Sequence, residues 1–143
     1  MSRTFEKASI ATELAHRMIE AAERKAAAMG KPMVIAIVDE SGVLKALSRM
    51  DGAPLLSLQV AQDKAYTAVG FGMPTEAWHP FIKDDPPLAA GAVGGIDRLV
   101  VFGGGYPIVL DGKIVGGIGV SGGHYTDDME VARAGLAVLD AAL

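Results

Sequence analysis

Asp111-Gly112 stands between two apolar runs, Pro107 to Leu110 and Lys113 to Val120. An Asp-Gly pair in that position is the strongest short-range signal for a two-residue β-hairpin, because both turn positions need a left-handed backbone. It therefore commits this end of the chain to antiparallel pairing. A second hairpin is expected upstream. Met33 to Val38 is a continuous apolar run, too short for a helix and rich in β-branched residues, so it reads as a strand buried on both faces. Asp39-Glu40-Ser41-Gly42 has turn chemistry, and Val43 to Arg49 returns as its partner strand. Leu99 to Phe102 is a further strand candidate, which gives five in all.

Helical spacing appears at both ends. Ile10, Leu14, Met18 and Ala21 predict a helix from Ser9 to Met29, with Ser9 as N-cap and Gly30 followed by Pro32 as the stop. His16 falls opposite this stripe and is read as facing solvent. Pro54 opens a helix to Val69 whose apolar residues surround most of its circumference. Such a helix must be covered on more than one side, and in a chain of 143 residues the second cover is expected to be another subunit. Pro74 and Thr75 begin a short helix through Trp78 and Phe81 that Asp84-Asp85-Pro86-Pro87 breaks. Leu88 to Gly95 reads as an irregular, glycine-rich stretch. Asp127 and Glu130 have capping-box spacing at the start of the last helix. The expected fold is α+β: a five-stranded antiparallel sheet with flanking helices, a layered arrangement resembling profilin-like or PAS-like domains, formed by residues 1–143 as one domain.

Charge and composition exclude several functions. Net charge is −4 and no basic run occurs, so a nucleic-acid partner is not expected. With no Cys, thiolate metal sites and a Cys nucleophile are ruled out. No apolar run reaches the roughly 18 residues of a membrane span. The N-terminus, MSRTFEKASIATELAHR, is charged and polar without a signal-type apolar region, so a cytoplasmic location is expected.

The glycines point to where a ligand sits. Along the last strand Val115, Gly117, Gly119 and Ser121 share one face, which leaves bare backbone for a close helix or a ligand. Gly103-Gly104-Gly105-Tyr106 can present amides to an anion or make a tight connection. Ser121-Gly122-Gly123 leads to His124, a proton shuttle or ligand candidate, and Arg49 and Lys64 are the best-placed cations. Asp51 or Asp63 are the acids nearest in sequence to pair with them. His79 completes the polar candidates. No H-x-x-x-H or H-E-x-x-H metal spacing is present.

Two blocks carry a family resemblance: MVIAIVDESGVLKALSRMDGAPLLSLQVAQDKAYTAVGFG, and GGGYPIVLDGKIVGGIGVSGG followed by DDMEVARAGL. They resemble the GlcG/HbpS-like family, also called haem-degrading domain proteins. The most specific parts are Arg49 to Gly52, Ala61 to Ala65 and Gly119 to Gly123. The resemblance implies a profilin-like fold, multimeric assembly and, from members that bind haem, a small-ligand-binding role with haem or a related tetrapyrrole as the named candidate. Haem takes an axial His, Met, Tyr or Cys. His79, His124, Tyr66 and Tyr106 are the residues available for that, with the two glycine clusters lining the ligand. Other members are encoded among catabolic enzymes. The alternative is accordingly an enzyme without a redox cofactor, acting on a small organic acid or oxygenated ring compound. His124 would be its acid–base group, and Arg49 or Lys64 would hold a carboxylate or enolate.

Overall fold

A computed structural model describes residues 1–141. The elements run α1 (Thr12–Ala28), β1 (Val34–Asp39), β2 (Leu44–Arg49), α2 (Ser57–Phe71), a single 3₁₀ turn (Thr75–Ala77), α3 (Trp78–Ile82), α4 (Pro86–Gly95), β3 (Gly105–Leu110), β4 (Lys113–Ser121), α5 (Tyr125–Leu136) and α6 (Val138–Ala141). The sheet has four strands, not five, in the order β2-β1-β4-β3, and every pairing is antiparallel.

Both hairpins form as their turn residues dictate. Asp111 (φ 51°) and Gly112 (φ 76°) take the two left-handed positions between β3 and β4. Asp39 Oδ1 accepts from the amides of Ser41 and Val43, which closes the β1–β2 turn. Leu99 to Phe102 forms no strand. Its backbone is turned aside by Arg98, a non-glycine residue at φ 64°. The Val100 amide is satisfied by Thr67 Oγ1 rather than by a ladder, and Leu99 and Val101 pack against Trp78 instead of a sheet neighbour.

The helix ends differ in detail from the sequence reading. The N-cap of α1 is Ala11, not Ser9. α2 begins at Ser57, three residues after Pro54. The caps of α5 follow from its first loop: His124 is the N-cap, its ring accepting from the Thr126 amide, so Asp127 lies inside the helix and the Asp127–Glu130 box does not form. Leu88 to Gly95 is helical rather than irregular. Asp85 caps the start of α4, and Pro86 and Pro87 occupy its first turn, where a missing N–H is harmless.

The sheet lies between two helical layers. Ile35, Ile37, Ile118 and Val120 face α1 and α5 in the main core. The two helices meet at Gly135, where a Cβ would stand 2.8 Å from Ile118 Cδ1 and 3.2 Å from the Met18 carbonyl. Val34 and Ala36 face α2 through Ala61. Val115 is the extra residue of a bulge between the pairs Ile108↔Gly116 and Val109↔Ile114, and it joins the α1/α5 core rather than the glycine face.

That glycine face is covered by α2. A Cβ on Gly117 would stand 2.6 Å from the Ala65 carbonyl, and one on Gly119 would collide with the Ala61 carbonyl. Between the two open readings of the glycines, the structure decides for the helix: they admit α2 to near backbone contact, and no flat ligand can enter there. The described residues contain no helix long and apolar enough to cross a membrane.

Candidate functional site

Lys64 is the residue on which the lower half of the molecule turns. It projects from α2 into the interior, and its Nζ donates to Asp128 Oδ2 at 2.8 Å and to the Val120 carbonyl at 2.9 Å. Its side chain is 1% exposed and that of Asp128 is 3% exposed. The other Asp128 oxygen accepts from the Gly123 amide. Burial pushes the Lys64 ammonium below its ordinary value and the Asp128 carboxyl above its own, and each charge opposes the other's shift. The partner is neither Asp51 nor Asp63, the acids nearest in sequence. Asp63 holds Arg98 instead, at 2.8 Å.

Packing around this pair explains the glycine run. A Cβ on Gly104 would stand 2.6 Å from Lys64 Nζ, and one on Gly105 would overlap the Lys64 carbonyl. The Gly105 amide donates to Thr75 Oγ1 inside the protein, so it is not free to cradle an anion. Phe102 lies over the buried ammonium, with its ring centroid 5.1 Å from Nζ.

Above Phe102 a cleft of about 380 Å³ opens between α3 and the start of α5. Val101, Phe102 and Pro80 give it apolar walls, with His79 on α3 and Tyr125 on α5 at its sides and Gly103 at its base. The 3₁₀ turn sets Glu76 at the edge. Its carboxylate accepts a short hydrogen bond from the Tyr106 hydroxyl and meets Arg133 Nη2 at 3.4 Å. Burial first, then the bond to Glu76, raises the Tyr106 phenol well above its ordinary value, so Tyr106 acts as a neutral donor. The imidazole of His79 makes no side-chain hydrogen bond among the described residues and is exposed. An apolar cleft of this size beside an uncommitted imidazole suits a flat apolar ligand with one coordinating atom.

Other sequence candidates lie elsewhere. His124 is exposed, bonded to Thr126 and tilted against Tyr125 with ring centroids 4.1 Å apart, so it serves as the α5 cap beside the cleft. Arg49 is exposed at the end of β2, an edge strand two positions from β4. Ser121 Oγ donates to Ser57 Oγ at 3.1 Å, joining β4 to α2. Gly122, at φ 153°, passes within 2.9 Å of the Met33 Cα where its Cβ would stand. Tyr66 lies under the Arg98 guanidinium at 4.0 Å. His16 is exposed, as its position on α1 predicts, yet it lines a groove against β2 with Glu20, Glu23 and Leu47. Glu76, Phe102 and Tyr125 were missed by sequence reasoning. The bond from the Gly105 amide to Thr75, 30 residues away, joins the segments that carry Glu76 and Phe102, and no local pattern encodes that contact. The described residues contain no group of three or more acidic or imidazole side chains placed to hold a metal ion.

A four-stranded antiparallel sheet between helical layers, with an apolar cleft at one end, defines a small α+β domain. The chain belongs to the HbpS-like family, described as "Haem degrading protein HbpS-like", which matches residues 10–137. It is 33% identical over 136 residues to an uncharacterised 15.0 kDa protein from the dhaT-dhaS intergenic region of Citrobacter freundii, covering 95% of this chain and 96% of that one. It is also 33% identical over 125 residues to the corrinoid adenosyltransferase PduO of Salmonella typhimurium, covering 87% of this chain but only 37% of that longer protein. Among solved structures, Klebsiella pneumoniae protein ORFY superposes with a TM-score of 0.92 at 27% identity, over 99% of this chain and 97% of the other. A PduOC–haem complex superposes with a TM-score of 0.83 at 32% identity, over 90% and 94% of the two chains.

Proposed function

We propose that this protein binds haem, or a tetrapyrrole of similar shape, in the cleft between α3 and α5, with His79 as the axial ligand. The observation that carries the reading is the uncommitted His79 imidazole set against the apolar walls of Val101, Phe102 and Pro80. The likeness to a PduOC–haem complex supports the ligand class. In this reading Phe102 and Tyr125 flank the macrocycle, and Tyr106 keeps Glu76 engaged at the cleft edge. Bound haem would supply an iron centre to a site whose own residues bind, orient and exclude water.

We further propose that the protein is a homo-oligomer. Leu55 and Leu56, just before α2, are 79% and 81% exposed, and Phe71, Phe81, Val93 and Ile96 add more apolar surface. The catabolic alternative finds less support in the geometry. None of His124, Arg49 and Lys64 lines this cleft, and the Lys64 head is engaged beneath it.

Haem titration followed in the Soret region tests the proposal. A saturable shifted band is expected for the wild-type protein, unchanged in His16→Ala and weakened at least about tenfold in His79→Ala, the loss of a coordinating bond. Absorbance rising linearly without saturation overturns haem binding. Loss in His16→Ala with retention in His79→Ala overturns the choice of cleft.

A further inference from the structure

We propose that residues 2–6 of one chain add as a further strand to the open edge of β2 in a second copy, filling the groove between β2 and α1. The groove measures about 340 Å³, with Ile19, Glu20 and Glu23 of α1 on one side and Ala46, Leu47 and Ser48 of β2 on the other. It shares no lining residue with the α3–α5 cleft and none with the exposed leucines before α2.

β2 stands at the end of the strand order β2-β1-β4-β3, so its outer backbone has no strand neighbour. The Met50 amide donates to the Met33 carbonyl, and the pairs Val34↔Arg49 and Ala36↔Leu47 follow in register. Alternation along an antiparallel ladder then turns the N–H and C=O groups of Leu47 and Arg49 outward. α1 stands beside this edge and supplies a wall for one face of an added strand. That wall is acidic. Glu20 and Glu23 form no ion pair among the described residues, and the basic Arg17 and Arg24 of α1 lie outside the groove lining.

The segment ahead of α1 has the matching chemistry. Residues 1–9 are exposed along their whole length, and the Ile10 amide makes the first backbone bond to the body, to the Val115 carbonyl. In an extended chain Arg3 and Phe5 share one face, and Ser2, Thr4 and Glu6 share the other. Against α1, Arg3 meets Glu20 and Glu23, while Phe5, 82% exposed in the single chain, covers Ile19 and Ala46. Glu6 then falls on the opposite face, the side of Leu47 and Arg49. Thr4 and Phe5 favour strand geometry. In such a mode main-chain bonds supply affinity and alternate side chains supply specificity. A chain's own arm does not fill its own groove. Lys7 Nζ is held at the β1–β2 turn, 3.1 Å from Ser41 Oγ and 3.8 Å from Glu40, and the residues ahead of it are exposed. The arm therefore comes from a second copy, and reciprocal exchange closes on a two-fold axis.

Charge reversal followed by sedimentation of the full chain tests the exchange. Arg3→Glu, and separately Glu20→Arg with Glu23→Arg, should each weaken self-association at least about tenfold through like-charge repulsion. An equimolar mixture of the two variants should restore the wild-type association, because each arm then meets a groove of opposite charge. Association through the exposed leucines before α2 is common to every sample, so the comparison reads the arm alone. A wild-type strength of association in Arg3→Glu overturns the proposal, and this exposed substitution delivers that result even where the α1 variant does not fold. A mixture as weak as its components overturns it as well, since that is the outcome when each arm folds onto its own β2.

Discussion

Lys64 Nζ lies 2.8 Å from Asp128 Oδ2, across the end of β4, with both side chains almost completely removed from solvent. This contact ties α2, on one face of the sheet, to the first turn of α5 on the other. It also supports the Gly104 backbone and the Phe102 ring that underlies the cleft. Its role is architectural: one charge neutralises the other where neither can reach water.

Removing one partner should therefore be far worse than removing both. Lys64→Met leaves a buried carboxylate uncompensated and is expected to cost roughly 3–5 kcal/mol. Lys64→Met combined with Asp128→Leu should return stability close to that of the wild type. Denaturant unfolding of the two variants checks the order. A double variant no more stable than the single one would show that the pair contributes more than mutual neutralisation.

Two glycines on neighbouring elements should respond in opposite directions. Gly119→Ala drives a methyl into the Ala61 carbonyl of α2 and is expected to destabilise the fold by about 1–3 kcal/mol. Gly70→Ala, inside α2 with open space at its Cβ, should stabilise by about 0.5–1 kcal/mol through helix propensity and lost unfolded-state entropy. Thermal midpoints of both variants test the claim that close helix–sheet approach explains the strand glycines.

Tyr106 sets an alkaline limit. Its folded pKa lies above the unfolded value of 10.0, chiefly through burial and then through Glu76. Its contribution is complete below that value. As pH rises above it the unfolded chain releases a proton that the folded protein retains, so stability falls. Tyr106→Phe should flatten this slope in unfolding experiments run across the alkaline range. Spectrophotometric titration should show a tyrosine ionising well above the ordinary range, and that step should vanish in Tyr106→Phe.

His124 should behave as a cap. His124→Ala removes the acceptor for the Thr126 amide and is expected to cost about 1 kcal/mol of stability. The haem titration should be unaltered. A large loss of affinity without loss of stability would return His124 to a direct role in the site.

The sequence was most legible where structure is local. Asp111-Gly112 fixed a hairpin because few residues tolerate two left-handed positions in succession. Gly30, at φ 69°, ended α1 for the same reason. Leu99 to Phe102 misled because a short apolar run packs equally well on a sheet or beneath Trp78, and the deciding contact is a Thr67 hydroxyl far away in sequence. The Lys64 partner was hidden because Asp128 lies 64 residues on. Of the site candidates, His79 and Gly103 line the cleft. Gly104 and Gly105 lie beneath it, explained by close packing over Lys64. Glycine content alone does not distinguish room for a ligand from room for a helix.

In the proposed function a tetrapyrrole docks in the cleft between α3 and α5. A crystal structure of the protein with haem added decides this directly. The macrocycle is expected against Phe102 and Tyr125, with iron bonded to His79. Density for haem in the α1–β2 groove beside His16, with the α3–α5 cleft empty, would contradict it.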